Sequence, residues 1–103
     1  MAQVLKAAFI FIAPGGNPAT HRNWVRTEHV ELLAVAVGSY AQAEQLARDL
    51  VEEEGIGAIE LCGGFGVEGT ARVARAVPVP VGVVRFDTHP GLGNVSGDSL
   101  FGE

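Results

Sequence analysis

The chain is predicted to fold as a small α/β domain on a four-stranded, mainly parallel sheet. Three observations carry this. Apolar runs almost free of polar breaks lie at residues 5–13, 30–37, 58–62 and 81–86, as in strands covered on both faces. Helical periodicity falls between these runs, and turns rich in glycine and proline punctuate them. Alternating β and α units imply parallel strands joined by right-handed crossovers. Counting the four strands along the chain, the compact solution is the order 2-1-3-4. That is a three-layer sandwich resembling half of a flavodoxin- or Rossmann-like sheet. The order 1-2-3-4 would be a barrel fragment, and four strands cannot close a barrel.

The first strand carries Ala7, Ala8, Phe9, Ile10, Phe11 and Ile12 without a polar break. Pro14-Gly15-Gly16-Asn17-Pro18 then forces a turn, since glycine permits positive φ and proline fixes its own. Asn17 as a cap and Pro18 at the first helical position predict a short helix to about Arg26, with Trp24 and Val25 as its buried contacts. Val30–Val37 is the second strand. Ser39 with Gln42 three residues later matches a capping box. Ala43, Leu46, Ala47, Leu50 and Val51 then form one apolar stripe, opposed by Glu44, Gln45, Arg48, Asp49 and Glu52. Gly55 is suited to end this helix in the left-handed conformation. A third strand at 58–62 leads to a helix at 67–77 with Val73, Ala74 and Val77 inward, and Pro78 and Pro80 bracket the entry to the fourth strand.

A length of 103 residues suits one domain, 1–103, whose last segment, 88–103, is a glycine-rich docking tail anchored by Leu92, Leu100 and Phe101. Hydrophobic residues make up 48% and charged residues 18%, an apolar balance that predicts burial of surface against another copy as a homo-oligomer. The net charge of −5 and the absence of a basic run argue against nucleic-acid binding. No apolar stretch is long enough to cross a bilayer, and no signal-type leader is recognisable. A single cysteine forms no internal disulfide, which fits a reducing, cytoplasmic setting.

In the predicted order the switch point lies between the first and third strands, and ligands bind outside strand C-termini there. The connections meeting on that rim are 14–17, 62–66 and 87–93. Gly63, Gly64, Phe65 and Gly66 lie in a strand–turn–helix connection, where free backbone amides can meet a ligand. Gly64, Gly66 and Gly69 spell G-x-G-x-x-G, with Asp87 eighteen residues beyond. Glu68 in the first helical turn would repel a phosphate, so a smaller ligand fits better than a dinucleotide, and close strand–helix packing alone also explains the glycines. Cys62 stands at a strand end beside this turn, where a thiol can act as nucleophile or acid/base, or simply as a small buried hydrophobe. Glu60 and Arg85 interrupt neighbouring apolar strands and are expected to pair near the sheet tip. Asp87 and His89 bring a carboxylate and an imidazole suited to proton transfer to the same edge, and His21 approaches from the first glycine turn. No His/Cys spacing encodes a metal site, and no cofactor is implied.

Three segments resemble a family of short bacterial proteins catalogued only as a domain of unknown function. They are Lys6-Ala7-Ala8-Phe9-Ile10-Phe11 with Ala13-Pro14, Glu60-Leu61-Cys62-Gly63-Gly64-Phe65-Gly66, and Val79–Asp87 with His89-Pro90-Gly91-Leu92-Gly93. The resemblance spans nearly the whole chain, including Ser96-Gly97-Asp98, and implies a complete protein; it implies no reaction, cofactor or catalytic residue. The residues themselves favour an α/β protein binding a small metabolite, an anion included, at the C-terminal edge of the sheet. Gly64–Gly66 would supply amides and Arg85 a charge. Two alternatives stand beside it: a cofactor-free lyase or isomerase using Cys62 or His89 with Asp87, and an oligomerising structural protein without a ligand.

Overall fold

The computed structural model describes residues 3–102. Along the chain run strands β1 (Leu5–Ile12), β2 (Arg22–Arg26) and β3 (Val30–Val37), helix α1 (Tyr40–Glu54), strand β4 (Ala58–Leu61), helix α2 (Val67–Ala76) and strand β5 (Val81–Val83). A 3-10 turn at Pro90–Leu92 and a short helix α3 (Gly97–Phe101) complete the chain. The sheet order is β2-β3-β1-β4-β5, parallel throughout except for the antiparallel edge strand β2. The four expected strands lie in the expected order, but the sheet is five-stranded and mixed.

The fifth strand replaces the helix expected over 17–26. Asn17 does initiate a turn: its side-chain oxygen accepts from the Ala19 amide at 2.9 Å and its carbonyl accepts from His21 at 2.8 Å. That turn stops after one revolution. Arg22-Asn23-Trp24-Val25-Arg26 alternates, and it pairs the otherwise open edge of β3, with Trp24 opposite Leu33. Trp24 packs against the core, whereas Val25, expected to be buried, is 57% exposed on the other face.

Helix α1 forms as its sequence dictates. Ser39 Oγ accepts from the Gln42 amide at 3.1 Å, Gln42 Oε1 accepts in return from Gly38, and Gly55 closes the helix at φ 71°. Tyr40, Ala43, Leu46, Ala47 and Leu50 are buried. Helix α2 buries Gly69 and Val73, while Ala74, expected inward, is exposed. Strand β5 stops at Val83, short of the expected Phe86, although the Val84 amide still donates to the Leu61 carbonyl at 3.1 Å.

The core cluster takes alternate residues from each strand, although Ala7 and Ala36, of the opposite parity, are buried as well. Ala8, Ile10 and Ile12 of β1, Leu33, Val35 and Val37 of β3, and Ile59 and Leu61 of β4 pack with Ala43, Leu46, Leu50 and Val73 of the two long helices. The reason is topological. Both crossovers, β3 to β4 and β4 to β5, move the same way across the sheet, so right-handedness places α1 and α2 on one face. The opposite layer of a three-layer sandwich would need a helix over 17–26, and those residues hold the edge strand. Among the described residues, no α-helix packs on that second face.

Candidate functional site

Parallel pairing brings the connections after β1, β4 and β5 to one rim, as the strand order requires. The glycine turn on that rim is occupied by the chain itself. Asp98, in the first turn of α3, lays its carboxylate on the N-terminus of α2: Oδ2 accepts from the Glu68 amide at 3.1 Å and Oδ1 from Gly69 at 3.4 Å. The Tyr40 hydroxyl donates to Asp98 Oδ1 at 3.1 Å and accepts from the Gly66 amide at 3.1 Å. Gly66, the α2 cap residue, has no side chain to offer. A carboxylate thirty positions beyond Glu68 supplies both the cap and the complementary charge.

Glycine is required here by close approach. A Cβ on Gly66 would overlap the Asp98 carboxylate, and one on Gly97 would overlap the Gly64 carbonyl. The G-x-G-x-x-G spacing therefore admits the returning tail instead of a pyrophosphate. The amides expected to face a ligand are engaged internally: Gly64 donates to Cys62 Sγ at 3.3 Å, Phe65 to the Cys62 carbonyl at 3.0 Å, and Gly66 to Tyr40. Tyr40 is 1% exposed, stacked on Phe65 at 5.5 Å and tilted against Phe101 at 5.8 Å. Burial, reinforced by the neighbouring Asp98 carboxylate, pushes its phenol up to about 12, with the Gly66 amide opposing in part. Phe101 packs against the core, while Leu100 stays exposed.

The other anticipated residues are dispersed. Cys62 is half-buried, its sulfur accepting from the Ile12 amide at 3.4 Å as well as from Gly64. Arg85 does not reach Glu60; its Nε donates to Asp87 Oδ1 at 2.9 Å, and both side chains are about two-thirds exposed. Glu60 stands opposite Phe9 and Gly82 on the face that α1 and α2 leave open. His89 Nδ1 accepts from the Gly91 amide at 2.9 Å, and its ring meets Phe86 edge-on at 4.8 Å. Gly63 lies under the Phe86 ring. Among the described residues, no three His, Cys, Asp or Glu side chains converge on a metal-sized site, and no helix is long and apolar enough to cross a membrane.

Cavities open among the described residues, three of them near the sheet and its connections. One of about 290 Å³ lies between α2 and the outer strand, lined by Phe65, Gly66, Thr70, Ala71 and Val83, with Arg85 beside it. A second of about 380 Å³ sits between Ser39, Arg72 and Phe101, where Arg72 is held by Glu44 at 2.6 Å. A third of about 300 Å³ lies between Phe11, the Pro14–Gly16 turn, His21 and Ala36. Cys62, Asp87 and His89 line none of these three. Sequence reasoning missed Tyr40 and Asp98 as the residues that organise the rim. Their one local signal is the Ser96-x-Asp98 helix start, where Ser96 Oγ accepts from the Asp98 amide.

Fold and rim together define an α/β protein whose switch-point crevice is filled by its own C-terminal segment. The chain belongs to a family described as a family of unknown function (DUF6506), whose model matches residues 5–99. No curated protein and no solved structure matches it.

Proposed function

We propose that the protein binds a small amphipathic anion, an apolar body bearing a carboxylate, in the cavity between α2 and β5. The observation that carries this reading is the meeting of Arg85 with apolar walls from Phe65, Val67, Ala71 and Val83 around about 290 Å³. That volume lies at the small end of metabolite sites, and such sites combine apolar walls with few polar groups. Asp87 holds the guanidinium through Nε, and both partners are solvent-exposed. A carboxylate can therefore compete for the Arg85 fork without breaking a buried ion pair. The Gly64, Phe65 and Gly66 amides take no part, since Cys62 and Tyr40 hold them.

Thermal-shift measurements with short-chain carboxylates and their neutral amides test the reading. A carboxylate at about 100 times its dissociation constant adds roughly 2.7 kcal/mol of stability. The amides should raise the melting temperature far less, and Arg85→Gln should abolish the difference. Equal shifts in Arg85→Gln and wild-type protein would refute it. Cys62→Ala and His89→Ala should leave binding unchanged; a loss in either would favour the lyase or isomerase alternative.

A further inference from the structure

The first turn of α2 serves two neighbours at once. Toward β5, Gly66, Val67, Thr70 and Ala71 form a wall of the cavity that also meets Arg85. Toward α3, Asp98 holds the Glu68 and Gly69 amides, and Tyr40, itself a donor to Asp98, holds the Gly66 amide. The two sets of residues interleave along one stretch of helix. Among the described residues, none from α3 lines that cavity.

The connection that carries Arg85 is anchored at the same place. Beyond β5 it is tied down by Phe86, whose ring covers Gly63, and by the His89–Val95 bridge, where the His89 amide donates to the Val95 carbonyl at 3.1 Å. Its far end is fixed by Gly97 against Gly64 and by Asp98 on α2. The cation beside the cavity therefore stands at one end of a loop whose other end is the docked tail.

Resting on the carboxylate site proposed above, we infer that residues 96–102 are a strap that regulates it. The cavity holds its ligand at full affinity only while Gly97 and Asp98 are docked on the glycine turn. The docked and released states differ in definable contacts. Docked, the strap caps the first turn of α2 and keeps the wall from Gly66 to Ala71 continuous. Released, it leaves the Glu68 and Gly69 amides without their acceptor. The turn then keeps the Tyr40 contact and the bonds from Thr70, whose amide and hydroxyl both donate to the Gly66 carbonyl at 2.9 Å. An uncapped helix end frays, and fraying here dismantles the cavity wall. Release is a local event, because the five residues of α3 have no helical stability of their own.

Strap and ligand touch opposite sides of the turn and share no residue, so the coupling is positive. By linkage, the ligand favours docking by the same factor as docking favours the ligand.

Calorimetric titration of the full chain with the linear carboxylates from butanoate to octanoate tests this. A Cβ at position 97 collides with the Gly64 carbonyl, so Gly97→Ala blocks docking without altering a cavity residue. It should weaken binding roughly tenfold, within the usual span of coupling between two sites. Asp98→Ala should do the same and carries the comparison if Gly97→Ala does not fold by circular dichroism. Ser99→Gln, exposed on α3, should bind as wild type does. In wild-type protein the tightest-binding carboxylate should slow hydrogen exchange of the Glu68 and Gly69 amides. Unaltered or tighter binding by the folded variants, or exchange indifferent to that carboxylate, would overturn the strap and leave the site standing. Failure of wild-type protein to bind any of these carboxylates would overturn both.

Discussion

Asp98 decides what the glycine turn can do. Its carboxylate takes two amides of the first turn of α2 and the Tyr40 hydroxyl, so the helix end is satisfied without a ligand. Removing a side-chain cap typically costs about 1–2 kcal/mol, and Asp98→Ala also strands the Tyr40 hydroxyl. The expected result is a urea midpoint lowered by a corresponding amount. Asp98→Asn, which keeps an accepting oxygen but loses the charge at the helix dipole, should fall between Asp98→Ala and wild type. An Asp98→Ala midpoint equal to wild type would show that water caps the helix equally well. The glycines at 64, 66 and 69 were legible as marking a strand–turn–helix connection. The group that approaches them was not, because a partner thirty positions from Glu68 leaves no trace in local spacing.

At the scale of elements, α3 has five residues, far too few to persist as an isolated helix. It is held by the fit of Gly97 against Gly64, by Asp98, and by Phe101 on Tyr40. Deleting residues 96–103 should therefore leave the sheet and α1 folded while opening the start of α2. Hydrogen exchange would read this as faster exchange of the Glu68 and Gly69 amides, with amides in β1 and β3 changed far less. Uniform acceleration throughout the chain would show instead that the tail is part of the global folding unit. The contrast between α1 and β2 shows why some elements are readable. Between Ser39 and Gly55, α1 carries its own cap, apolar stripe and left-handed terminus, so local chemistry alone specifies it. Residues 17–26 open on a genuine turn signal at Asn17, and only the unpaired edge of β3 draws Arg22–Arg26 into a strand.

For the molecule as a whole, the buried Tyr40 couples stability to alkaline pH. The phenol titrates near 10 when unfolded and about 12 when folded, because burial beside Asp98 disfavours tyrosinate. Between these values the unfolded chain releases a proton that the folded chain retains, so the stabilisation is complete below pH 10 and is lost as pH rises through 12. The full loss is roughly 2–3 kcal/mol. Tyr40 is the single tyrosine, so its tyrosinate absorbance can be followed directly alongside chemical denaturation. An ordinary phenol titration in folded protein would contradict the buried arrangement. Global topology was legible to the same extent as the elements: four strands in the order 2-1-3-4 emerge as β3-β1-β4-β5, while the edge strand and the one-sided helical layer do not.

By itself the amino-acid order determined the four parallel strands, the long helix and the rim where their connections gather. Each of these depends on period, caps and handedness, which act over a few residues or arise from chain connectivity. Tertiary structure alone decided that residues 22–26 complete a sheet edge, that one sheet face stays without a helix, and that Asp98 fills the glycine turn. Those outcomes are contests between distant groups for the same unpaired amides and apolar surface, and they are settled only when the folded chain brings the competitors together.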